Sequence, residues 1–429
     1  MSGEYKNNHY VPIWYQKRFV SDPRSEYDLY YLSLKPAQFI DSKGKVHTGN
    51  AVRKLGFRHC FTEEDLYTTN LNGVESRKLE QLFFGQIDTR GRAAVEWCAG
   101  FSYPWDGSNH INNLLLYMST QKLRTPKGLA WLNDQASKLG KSDKNSILAL
   151  MTSLRQLYGA IWIECVWLIA DASKSDTKFI ISDHPVTIYN RRCGPRSQWC
   201  REYNDPDIRL HASHTLFPLS LDKILILTNL SWLRNPYQNE LEMRPNPSFF
   251  RGAIIKITDI QTLRSLSEKE VRQINFIIKN RAYRYIAAAK EDWLYPEKYV
   301  SKSDWYHYGN GYLLMPDPRG VVYGGQIVIG HNDGTASAFD EYGRRPWQEG
   351  FKGFDKSGVG EDWNTFHRFK GEFARLFGPY RRGRAFNTMQ IDNEKDDDEF
   401  HKYHLNLESE YKKNKKEKAV ISRKRLDRQ

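Results

Sequence analysis

Cysteine is scarce and poorly spaced for the usual staples. The chain has five, Cys60, Cys98, Cys165, Cys193 and Cys200, an odd number with no C-x-x-C pair. Neither a disulfide framework nor a standard zinc module is indicated. Long apolar runs are missing too: the best, Ile161 to Ala170, is short and contains Glu164, against the roughly 20 residues a membrane helix needs. The first residues carry no basic segment followed by an apolar core, so no secretory signal is read there and a cytoplasmic protein is expected. There is no P-loop, no dinucleotide fingerprint, no nucleophile-elbow serine and no cysteine-protease signature; the Gly-rich Tyr323-Gly324-Gly325 lies between β-prone segments, not before a helix. Internal repeats are absent.

Aromatic residues are plentiful. They make up 14% of the 429 residues, with 12 Trp and 25 Tyr, which is too rich in core-forming side chains for a disordered chain. A mean hydropathy of -0.69 assigns the polarity to surface and loops. The length suits roughly two or three domains, or one large domain with additions. The net charge of +13 suggests a polyanionic partner, but it is unevenly spread. From Tyr411 onward nine Lys or Arg residues stand against Glu417 and Asp427, so more than half of the excess lies in a tail.

Near the N-terminus, Asn8-His9-Tyr10-Val11-Pro12 with Trp14, Tyr15 and Arg18-Phe19 reads as a pinned interior element, because a terminus this aromatic and proline-fixed is tied down, not fraying. Val74 to Cys98 has helical periodicity, and Glu80 and Asp88 lie on the edge of its apolar face. A second amphipathic helix runs from Ser108 to Gln121 and Arg124, where Thr125 caps and Pro126 opens the next. The break between the two aims Arg124 toward a cleft or toward helix-end carbonyls. Asn145 to Tyr158 reads as a third helix, Ile161 to Ala170 as a strand, and Lys178 to Ser182 as a strand ending in Ser182-Asp183-His184-Pro185. Asp183 there is either a site residue or the head of an Asx turn. Arg191 to Ala212 reads as an insertion whose Cys193, Cys200 and His211, with His214 just beyond it, match no standard zinc spacing. Ser267 and Glu270 form a capping box for a helix to about Lys290, and Asn332-Asp333-Gly334 signals a hairpin.

The order H-Y-V-P-x-W-Y-x-x-R-F, a helix with spaced acids, Q-x-x-R-T-P, then F-I-I-S-D-H-P-V and F-P-L-S-x-D resembles the bacterial domain-of-unknown-function family 4238. The likeness covers about Asn8 to Ala289. It is carried by His9, Tyr10, Pro12, Arg18 and Phe19, by Glu80 and Asp88, by Gln121, Arg124 and Pro126, and by Ser182, Asp183, Pro185 and Pro218. Asp88 stands where glutamate is the family's choice, and Trp14 where Phe is usual. The resemblance implies that these segments form one domain and leaves the activity to chemistry.

The expected fold class is α+β: a helical core with an antiparallel sheet and hairpin layer over residues 1–292, a β-rich accessory region over 293–378, and a charged, mostly disordered tail over 379–429. The expected function is a metal-assisted phosphodiesterase or nuclease acting on RNA or DNA. His9, Glu80, Asp88, Gln121, Arg124 and Asp183 are its candidate catalytic residues, with Glu80, Asp88 and Asp183 as oxygen ligands for magnesium or manganese and zinc not favoured. Arg191, Arg192, Arg196 and Trp199 are candidates for steering and stacking a nucleic acid strand. The competing expectation is a non-catalytic protein that binds nucleic acid or another protein, with the same polar residues forming a buried structural network. No membrane partner is expected.

Overall fold

The computed structural model describes residues 7–21, 29–64, 66–67, 84–102, 108–141, 143–238, 240–244, 260–301, 305–310, 312–321, 327–340, 344–349, 351, 359–379, 384–385 and 394–426. Strand β1 (Asn7–His9) pairs antiparallel with β6 (Thr62–Glu64), His9 opposite Thr62. Tyr10, Val11, Tyr15 and Phe19, on or beside the short helix α1 (Ile13–Gln16), are buried. The N-terminal stretch is therefore interior, as its composition predicts. Tyr15 stacks on Phe217 with centroids 5.5 Å apart, which fastens this stretch to the main sheet.

That sheet has six strands in the order β16 (Arg384–Ala385), β12 (Ile260–Ser265), β7 (Val166–Asp171), β11 (Lys223–Thr228), β10 (Ser213–Pro218), β9 (Thr187–Asn190). All its pairings are antiparallel except β12 with β7. A second sheet runs β5 (Val52–Leu55), β2 (Leu29–Ser33), β13 (Tyr285–Ala288), β8 (Ile181–Ser182). Helices α2 (Gly85–Ala99), α3 (Ser108–Arg124), α4 (Pro126–Lys138) and α5 (Lys144–Glu164) pack in succession as the helical layer. One hydrophobic core joins this layer to both sheets. The fold is α+β. Among the described residues no helix is long and apolar enough to cross a membrane.

Several local expectations hold because their causes are local. Thr125 accepts the Gly128 N–H at 3.2 Å and caps α4, with Pro126 at its first position. The Ser267/Glu270 capping box starts α7 (Glu268–Arg281), which follows α6 (Leu230–Arg234). Gly334, at φ 83°, turns the hairpin of β14 (Ile327–Gly330) and β15 (Ala336–Phe339).

Other expectations need correction. The run Ile161 to Ala170 is a helix end followed by a strand, since α5 continues to Glu164 and β7 begins at Val166. Glu164 pairs with Arg244 at 2.8 Å, each 1% exposed, so this acid sits inside the protein at the change of element. Helix α7 ends at Arg281, not near Lys290, and Tyr285 belongs to β13. Trp293, Leu294, Trp305 and Tyr308 pack into the main core, so packing does not break at residue 293. Helices α8 (Trp305–Asn310) and α9 (Val359–Phe377) follow, and Phe366, Phe369 and Phe373 of α9 join a second cluster around Trp232. Residues 394–426 form one helix, α10 (Glu394–Leu426).

Candidate functional site

The residues singled out in the sequence come together only in part. Arg124 pairs with Asp88 at 2.8 Å and donates from Nε to Gln121 Oε1 at 2.7 Å. Gln121 Nε2 in turn donates to the Tyr10 carbonyl at 2.7 Å. The Arg124 guanidinium also lies 5.6 Å and 5.7 Å from the ring centres of Phe84 and Tyr117. Burial by itself lowers the Arg124 pKa, but the neighbouring Asp88 carboxylate more than offsets it and keeps the group charged. This chain ties α2, α3 and the N-terminal stretch into one frame. Gln121 and Arg124 are 0% and 1% exposed, and neither belongs to the lining of the cavity described below.

His9 is not aimed at that network: its Nε2 contacts the Arg58 carbonyl at 3.1 Å. Asp183 is also separate from it. Its carboxylate accepts the backbone N–H groups of Tyr283, Arg284 and Tyr285 at 2.9, 2.6 and 3.0 Å. That three-fold capture lies just beyond the end of α7 and starts β13, so Asp183 acts as a clamp on the chain. Burial raises its pKa and the three N–H bonds oppose the rise.

Glu80 lies outside the described residues. Asp88 and Asp183, the other proposed metal ligands, have their oxygens committed to Arg124 and to main-chain N–H groups and do not fit as a shared pair of metal ligands. Among the described residues no three His, Cys, Asp or Glu side chains are grouped to hold a metal ion. Of the four proposed nucleic-acid residues, Arg191 is buried over the Trp232 ring at 4.2 Å, while Arg192 and Arg196 are exposed. Trp199 lines the cavity described below, and the three arginines do not.

The sequence neighbours of these frame residues build that cavity. Its volume is about 400 Å³. Lys122 follows Gln121 by one position, which turns it roughly 100° around α3 and away from the frame. Lys127 enters from the first turn of α4, and His184 follows the clamped Asp183. Asp205 arrives from the loop between β9 and β10. Gly128 allows the two helices to approach closely, since a Cβ there would lie 2.1 Å from the Lys122 carbonyl oxygen.

Asp205 holds these parts together. Its Oδ2 lies 2.8 Å from Lys122 Nζ and 3.0 Å from His184 Nε2, and its Oδ1 lies 2.6 Å from Lys127 Nζ. Lys122 Nζ is 3.1 Å from His184 Nε2, and His184 Nδ1 is 2.7 Å from Thr125 Oγ1. Lys127 Nζ also donates to the Arg281 carbonyl at 2.7 Å. Trp131, Tyr158, Trp199 and Tyr203 supply aromatic surface around this polar floor, and Arg209, held by Asp207 at 2.6 Å, lies on the same lining.

Charge does not balance here. Burial, joined by the Lys122 charge, depresses the His184 pKa to about 3, so the imidazole is neutral at pH 7. Burial alone would raise the Asp205 pKa; the Lys122 and Lys127 ammonium groups outweigh it and hold the carboxyl well below its usual range. Burial lowers the Lys122 pKa, with Asp205 opposing. Two lysines against one carboxylate leave about one uncompensated positive charge in a site of low dielectric. A buried charge without a partner is unfavourable by several kcal/mol. The site is therefore suited to an anion beside a planar ring.

Sequence reasoning missed Lys122, Lys127 and Asp205, and passed over His184 in favour of its neighbour. Two signals were present: lysines on both sides of the Thr125-Pro126 break, and the Asp205-Pro206-Asp207 run in a loop noted for its Cys and His residues and for Arg191, Arg192, Arg196 and Trp199.

Fold and site define an α+β protein with a two-lysine, one-carboxylate, one-imidazole cluster at the floor of an aromatic-lined cavity. The chain belongs to the family described as protein of unknown function (DUF4238), which matches residues 7–292. All four cluster residues lie inside that span. No curated protein and no solved structure matches the chain.

Proposed function

We propose that the cavity takes a phosphate-bearing nucleoside unit and that the protein acts on it as a phosphodiester hydrolase of RNA or DNA. The carrying observation is the uncompensated positive charge of Lys122 and Lys127 around Asp205, set among rings on which a base can stack. In this reading Lys122 and Lys127 neutralise the phosphate. His184, as the Nδ1–H tautomer donating to Thr125, accepts at Nε2 a proton from the water that attacks the phosphorus. The bound phosphate raises the His184 pKa from its depressed value toward a working range, and Asp205 then accepts the new Nε2–H. As the new P–O bond forms and the old one breaks, Lys122 gives a proton to the leaving oxygen. The imidazolium returns a proton to Lys122 across their 3.1 Å contact, which resets both groups.

The test is incubation with labelled single-stranded RNA and DNA, both with magnesium or manganese added and under chelation. Cleavage is expected to fall by about 10²–10⁴ in His184→Gln and Asp205→Asn. Cleavage unchanged in both variants, or none under any condition, sinks the hydrolase reading.

A binding-only reading has its own support. The Asp88–Arg124–Gln121 frame and the Asp183 clamp are paired beneath the surface, as a structural network would be. Nucleotide binding without turnover is its signature.

A further inference from the structure

Helix α10 is 33 residues long, whereas its packing partner α9 has 19. At 1.5 Å per residue these are roughly 50 Å and 28 Å, so at least about 20 Å of α10 runs past its partner. The buried side chain His404, 4% exposed and bonded to the Phe400 carbonyl, marks the packed part. Beyond it Lys412, Lys413, Lys415 and Lys416 are all exposed, and the sequence continues with Lys418, Arg423, Lys424 and Arg425.

Lysines at spacings of three and four, as in Lys412/Lys415/Lys416 and Lys413/Lys416, face one another along a helix and repel. An extended helix of this kind lacks the apolar face that normally supports one in water. Polyanionic phosphate removes the repulsion, and duplex nucleic acid presents about one negative charge per 1.7 Å. We propose that this end of α10 docks on the phosphate backbone of nucleic acid, independently of sequence and of the cavity's chemistry. A membrane surface fits less well. A helix lying in the interface needs an apolar stripe, and the apolar residues of the basic end are Ala419, Val420, Ile421 and Leu426, the first three consecutive and so spread over about 200° of the helix instead of aligned.

The full chain is titrated against a fluorescent 20-base-pair DNA duplex at several salt concentrations between about 50 and 200 mM. The comparison is a variant carrying Lys412→Gln, Lys413→Gln, Lys415→Gln and Lys416→Gln. The wild type should bind, and its dependence of log K on log salt should be steeper than the variant's by about 3 to 4, near 0.9 per lost phosphate contact. The variant should lose at least about ten-fold in affinity at the lowest salt. Replacing the same four lysines by arginine should restore both, which separates charge from folding. Absence of duplex binding by the wild type, an unchanged slope in the Gln variant, or tighter binding to vesicles rich in anionic lipid that the duplex fails to compete away overturns the proposal.

Discussion

Two aspartates separate architecture from chemistry at the level of single residues. Asp183 spends its carboxylate on three consecutive main-chain N–H groups, whereas Asp205 spends its own on two lysines and a histidine that border a cavity. Asp183→Ala leaves three backbone donors without acceptors, and each unsatisfied buried donor costs about 1–3 kcal/mol. Urea denaturation is expected to show a loss of about 3 kcal/mol or more; a loss below about 1 kcal/mol would remove the clamp from the account. Sequence alone did not separate these roles. Asp183 sits in a recognisable strand-end motif, and Asp205 in an irregular loop. What distinguishes them is which partner arrives from about a hundred residues later, Tyr283 to Tyr285 in one case, and from about eighty residues earlier, Lys122 and Lys127, in the other.

Among the elements, the α3–α4 junction positions the cavity. Thr125 caps α4 and contacts His184, while Gly128 permits the approach that brings Lys122 and Lys127 to one carboxylate. Gly128→Ala places a Cβ against backbone oxygen, which cannot swing aside as a flexible side chain would. A loss of about 1–3 kcal/mol is expected, together with loss of ligand binding at the cavity, read by urea denaturation and by titration with a nucleotide. Near-wild-type stability and binding would show that the junction tolerates movement. This junction was legible because its signals are local: a capping threonine, a proline at the first position and a helical stripe. The end of α7 was not, because its terminator is the distant Asp183. The change from α5 to β7 was hidden because one continuous apolar run serves both periodicities.

Over the whole molecule, buried histidines set the response to acid. Burial lowers the pKa of His184 and His214 to about 3 and of His211 and His404 to about 4. Each is below the ordinary value near 6.5, so the unfolded chain takes up protons that the folded one refuses. Stability is therefore lost as pH falls from about 6.5 toward 4, by up to about 2 kcal/mol per histidine at pH 5. The raised pKa of Asp183 works in the opposite direction. Melting temperature should drop steeply between pH 6.5 and 5; a flat profile there contradicts the burial of these rings.

The fold class and the interior N-terminal stretch could be read from composition and periodicity. The cavity could not, because Gln121, bonded to the Tyr10 carbonyl, and Lys122, on the other side of α3, are both buried, and what marks the Lys122 side is Asp205 from a distant loop. The central claim is that this other side binds phosphate. Calorimetric titration with a nucleoside 5′-monophosphate and with its unphosphorylated nucleoside tests it most directly. The account predicts at least ten-fold tighter binding of the monophosphate, a preference that disappears in Lys122→Met. Equal affinities for the two ligands, or a preference that survives Lys122→Met, would contradict it.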